Sequence, residues 1–74
     1  MLSKLENLLL KWTEPYEYKR PRNVTLYMIR EMQRIYHYLK NGQQAYFLTC
    51  DLVPYLEKCG VNVDEHGIGY VAYL

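Results

Sequence analysis

The stretch VNVDEHGIGYVAYL, Val61 to Leu74, decides how this sequence is read. Apolar and polar residues alternate on both sides of a polar DEHG segment, with Val61 and Val63 before it and Ile68, Tyr70, Ala72 and Leu74 after it. A period of two flanking a turn predicts a β-hairpin at the C-terminus. Immediately before it, DLVPYLEKCG constrains its own conformation through Pro54, which has no amide hydrogen and clashes with the carbonyl four residues earlier. The proline therefore belongs in the first turn of a short helix, with Asp51 as the expected N-cap, Leu52 and Leu56 facing the core, and Gly60 just past the end. Upstream of that helix, AYFLT (45–49) is rich in β-favouring residues and too short for a helix of its own, so a strand is expected.

The N-terminal half has helical period. Ser3-Lys4-Leu5-Glu6 matches a capping box, and Leu5, Leu8, Leu9 and Trp12 follow as one apolar stripe until Pro15 ends the run. A second helix starts near Asn23 or Thr25. It carries Met28, Ile29, Met32, Ile35, Tyr36 and Leu39 on one face and stops at Asn41-Gly42. Its other face holds Arg30, Glu31, Arg34, His37 and Tyr38, with Glu31 and Arg34 spaced for an i,i+3 pair. The expected order is helix, helix, strand, helix, hairpin: a single α+β domain over residues 1–74 with a small antiparallel sheet covered by helices on one face. No internal repeat or low-complexity segment interrupts it.

Composition bounds the function. The 74 residues are 50% apolar and 23% charged, with nine Lys and Arg against eight Asp and Glu, a formal charge of +1. That is an ordinary globular balance, and any basic effect must come from placement. No apolar run approaches a membrane span, and the first residues lack a basic region followed by a sustained apolar core, so an intracellular, cytoplasmic protein is expected. Cys50 and Cys59 sit too far apart on an intervening helix to bridge each other, which leaves a disulfide between two chains open. Those cysteines with His37, Asp64 and His66 lack metal-ligand spacing, no nucleophile–base–orienter trio is suggested, and no phosphate-cradling glycine loop is present; no metal, cofactor, small-molecule substrate or enzymatic activity is expected.

Two features carry functional readings. The segment YKRPRN (18–23) places Lys19, Arg20 and Arg22 around Pro21; with Arg30, Arg34 and Lys40 they could form a phosphate-binding stripe interleaved with Tyr18 and Tyr27. Glu14, Glu17 and Glu31 lie alongside, as on any mixed-charge surface. Nine tyrosines are the other unusual feature. Tyr36, Tyr46 and Tyr70 read as core-edge residues, and Tyr18, Tyr27, Tyr38, Tyr55 and Tyr73 as candidates for an interface. The stripe Leu5, Leu8, Leu9, Trp12 needs a covering surface, which in so small a domain suggests a homodimer.

From about residue 49 to 74, the helix with Leu56-Glu57-Lys58, then Gly60-Val61 and the hairpin with Gly69-Tyr70, resembles the recognition helix and wing of winged helix-turn-helix DNA-binding domains of small phage, viral and plasmid regulators. The resemblance implies a DNA-binding protein that regulates transcription or replication; taken with the basic stripe and the expected homodimer, the leading expectation is a small winged-helix-like protein that binds DNA as a dimer. The sequence departs from that family in placing AYFLT where a second helix precedes the recognition helix, and Pro54 where base-reading residues are expected. The alternative is an adaptor or inhibitor, of the kind phages encode against host proteins, that binds a protein through its tyrosines and does not bind DNA.

Overall fold

The computed structural model describes residues 2–13 and 21–74; Tyr18, Lys19 and Arg20 lie outside the described residues. Helix α1 spans Ser3–Thr13, α2 Leu26–Lys40 and α3 Val53–Lys58, with strands β1 (Ala45–Phe47), β2 (Asn62–His66) and β3 (Gly69–Tyr73). The strands form one antiparallel sheet in the order β1-β3-β2. The α+β architecture and its small antiparallel sheet follow the sequence reading; several details do not.

In α1, Ser3 is already helical, and the Glu6 carboxylate accepts from the Tyr36 hydroxyl at 2.7 Å rather than reaching back to a capping box. Leu5, Leu9 and Trp12 are buried in the protein's own core against α2 and α3, with Leu8 half-buried, and the Trp12 ring meets Tyr55 edge-on at 4.9 Å. The stripe assigned to a dimer interface is thus covered within one chain. An amphipathic period says that a face is buried, not which surface buries it.

Helix α2 begins as expected at Thr25, whose hydroxyl accepts from the Met28 amide at 3.2 Å. It ends where Gly42, at φ 77°, lets the Gln43 amide return to the Tyr38 carbonyl and the Gly42 amide to that of Leu39. Met28, Ile29, Met32, Ile35 and Leu39 form its buried face.

Between β1 and α3 the chain makes a 3-10 turn, Cys50–Leu52. Asp51 lies inside that turn instead of capping, and Pro54 becomes the second residue of α3, where its missing amide has no partner to lose. Helix α3 closes as α2 does: the Val61 amide reaches the Leu56 carbonyl at 3.0 Å, and both side chains are buried.

The hairpin turn is tighter than DEHG. Asp64, Glu65 and His66 remain in β2, paired with Val71, Tyr70 and Gly69, and the chain reverses at Gly67-Ile68. Gly67, at φ 58°, supplies the positive φ of a two-residue turn while Ile68 keeps a negative one, the II′ pattern. Ile68 therefore leaves the strand face and stands at the tip, 94% exposed. Ala45, Phe47 and Ala72 point from the sheet into the helix-covered core.

Candidate functional surface

The register places Tyr46, Val71 and Asp64 in one row across the strands, with Asn62 and Tyr73 paired beside it, all on the side away from the core. Successive strand residues face opposite sides, so His66 joins them on this outer face. Among the described residues, helices cover one side of the sheet and none lies over the other. Tyr46 is 51% and Leu48 62% exposed there. The Tyr46 and His66 rings tilt together at 4.8 Å, and the Tyr73 hydroxyl donates to Asp64 Oδ2 at 2.7 Å, which holds the Tyr73 phenol above the usual tyrosine range. Tyr46, Leu48, His66 and Ile68, with Phe47, Gly69 and Tyr70, line an open, mostly apolar depression of ≈ 290 Å³ at the turn end of the sheet. Phe47 and Tyr70 stack at 5.5 Å.

Among the described residues of the expected basic stripe, Arg34 and Lys40 have contacts within the chain. Arg34 bonds Glu31 twice, Nε to Oε2 at 2.9 Å and Nη2 to Oε1 at 3.1 Å, and Nη2 also donates to the Tyr46 carbonyl at 2.6 Å. The hydrogen bond to Glu31 holds the guanidinium still more firmly in its charged form. Arg34 thus leans towards β1. Lys40 lies on the other flank of α2, its Nζ 5.9 Å from the Tyr36 ring, whose hydroxyl is tied to Glu6 of α1. Arg22 and Arg30 are exposed. Between β1 and β2 only the 3-10 turn and the six-residue α3 are found, not the helix pair of a helix-turn-helix.

The tyrosines sort differently from the sequence reading. Tyr55 and Tyr36 pack at the core edge, and Tyr70 is half-buried; Tyr27 and Tyr38 are exposed on α2. Tyr46, read as core-edge, is an outer-face residue, because the alternation that buries Ala45 and Phe47 turns it outward. That signal was present in AYF; what it needed was the knowledge of which neighbours face inward. Leu48 and Ile68 carried no such signal, since both become exposed only after the strand and turn boundaries are fixed.

Cys50 is exposed and Cys59 buried, its thiol pushed up by burial and partly offset by Lys4. Among the described residues no three of His, Cys, Asp and Glu converge on a common point, and no helix is long and apolar enough to cross a membrane. Compared with family models, curated proteins and solved structures, the chain matches none.

Proposed function

We propose that the protein is a non-enzymatic binding module that engages a partner protein through the outer face of its sheet. The observation that carries this reading is the uncovered patch of Tyr46, Leu48, His66 and Ile68, with Val71 and Tyr73 beside it. Exposed aromatic and aliphatic side chains grouped on one face, rimmed by polar residues, are how a protein-binding surface differs from the mixed surface around it. Ile68 at a turn tip does nothing for the fold, since it buries almost no area.

The DNA-binding, winged-helix-like reading draws on the hairpin and on exposed Arg22 and Arg30. It is the weaker of the two because Arg34, central to the stripe, is engaged by Glu31 and the Tyr46 carbonyl. Dimerisation no longer follows from α1, whose stripe is already packed.

The test compares wild type with the triple variant Tyr46→Ser, Leu48→Ser, Ile68→Ser and with Arg22→Gln, Arg30→Gln, each checked for folding by circular dichroism. Capture of a protein from extracts of the cells that express it should survive the arginine changes and be lost in the triple variant. Retained capture in the triple variant overturns the reading. So does duplex-DNA binding that weakens steeply with salt and is lost in the arginine variant, since a phosphate ligand releases counterions on binding.

A further inference from the structure

The two edges of the sheet are treated differently. At β1 the Tyr46 carbonyl points outward and is taken by Arg34. Backbone direction alternates along a strand, so Ala45 and Phe47 turn towards their β3 partners, Ala72 and Tyr70. On β3 it follows that Gly69, Val71 and Tyr73 turn the other way, to bond His66, Asp64 and Asn62 of β2. Val63 and Glu65 are left with their amides and carbonyls facing outward from β2, and no hydrogen bond from the described residues reaches them. Beside this edge lies a depression of ≈ 330 Å³ between the end of α3 and β2, bordered by Glu57, Val63, Asp64 and Tyr73 and, among the described residues, by no Lys or Arg. Glu65 adds a further exposed carboxylate to the strand.

We infer that the open edge of β2 accepts an extended, basic segment of the partner protein as a fourth strand, with Lys or Arg side chains set against Glu57, Asp64 and Glu65. The inference rests on the protein-binding reading and names the partner's chemistry. Strand addition is a general mode of peptide recognition, in which main-chain hydrogen bonds supply affinity and alternate side chains supply specificity. The occupant is basic because, among the described residues, the charged groups bordering the depression are the carboxylates of Glu57 and Asp64. A second copy of this chain fits poorly. The two-fold register that uses both open residues pairs Val63 with Glu65 and is centred on Asp64, which then opposes its own copy, and like charges directly opposite are destabilising.

The probe is a blocked hexapeptide with two adjacent Lys between Val and Thr residues, so that a cation stands on each face of the added strand, mixed with the full chain labelled with nitrogen-15. Two controls carry Glu for Lys, or N-methyl groups on alternate amides. Expected are shifts and slowed hydrogen exchange at the Val63 and Glu65 amides with the Lys peptide alone, weaker binding at higher salt, and an affinity lower by about twofold to thirtyfold in Glu57→Gln, Asp64→Asn, as for two exposed ion pairs. Both substitutions are at exposed positions, so the fold should hold.

Binding unaffected by N-methylation, by the Lys-to-Glu exchange or by the two substitutions overturns the inference. So does absence of binding, or protection of Val63 and Glu65 in the free protein together with a dimer mass in light scattering. Shifts confined to Tyr46, Leu48 and Ile68 also overturn strand addition. In each of those cases, loss of partner capture in the outer-face triple variant leaves the protein-binding reading standing.

Discussion

Gly69→Ala should destabilise the protein, although glycine-to-alanine changes in ordered positions commonly do the reverse. Gly69 opens β3 beneath the end of β1. A Cβ added there would lie 2.5 Å from the Phe47 carbonyl oxygen and 2.8 Å from Leu48 Cδ2, where ordinary contact begins at 3.4 Å. Leu48 can swing away. The Phe47 carbonyl cannot, because it belongs to the backbone that pairs β1 with β3, so two strands must part by most of an ångström. Overpacking of this kind costs about 1–3 kcal/mol, against a gain of about 0.4–1 kcal/mol from the stiffer unfolded chain. The net loss of about 1–2 kcal/mol should lower the thermal midpoint by about 5–15 °C in a domain of this size. Thermal unfolding followed by circular dichroism measures it. Adding Leu48→Ala separates the two contacts: the double variant should stay destabilised, since the carbonyl remains. A Gly69→Ala midpoint at or above wild type, or full rescue by Leu48→Ala, would refute the reasoning.

Leu56 is fully buried at the join of α3 and the sheet, so Leu56→Ala should cost about 2–5 kcal/mol in urea denaturation, a large share of what a small domain possesses. Cys50 should react with a disulfide reagent at once, whereas buried Cys59, its thiol pushed up, should react only as fast as the structure opens; two equally fast thiols would contradict the packing. Tyr36, Tyr73 and Cys59 all have raised values, the tyrosines through hydrogen bonds to Glu6 and Asp64 and the thiol through burial. Each favours its protonated form in the folded state. Their contribution is therefore complete below their ordinary values and is lost as pH rises through the raised ones. Denaturant midpoints should be level through neutrality and fall above about pH 9–10, and Tyr36→Phe with Tyr73→Phe should flatten that fall.

Much of the fold could be read residue by residue because local rules dominated. Pro54 could sit nowhere but a first turn, Gly42 and Gly60 marked helix ends, and the alternation after Gly67 required a strand. The hairpin turn was misplaced because Asp64, Glu65 and His66 look like turn residues by composition. In the sheet they are the solvent-facing or edge positions of β2, where polar side chains cost nothing. The surface was less legible. Arg34 and Arg30 are alike in the sequence, yet their fates separate on a contact with a strand twelve residues beyond Arg34, and no helical period records that. The apolar stripe of α1 was legible as buried, but its cover is the buried face of α2 and Trp12's neighbour Tyr55, a surface that exists only once α2 and α3 have packed.

The contrast between the two edges has a physical logic that joins stability to recognition. An open strand invites pairing with any exposed strand, and natural sheets discourage this with short edges, charges and capping side chains. Strand β1 uses two of these devices: it has three residues, and Arg34 takes its outward carbonyl. Strand β2 is longer and has no such cap among the described residues, but it carries Asp64 and Glu65. Those charges repel a second β2 brought alongside in the register that would satisfy both open residues, so they guard against self-association. The same charges do not repel a strand bearing lysine or arginine; they attract it. A cap like Arg34 at β1 closes an edge to every partner, whereas an acidic edge closes it to copies of itself and leaves it open to a basic segment. On that argument the acidity of β2 serves solubility and selectivity at once, and neutralising Asp64 and Glu65 should weaken the second while exposing the protein to the first hazard.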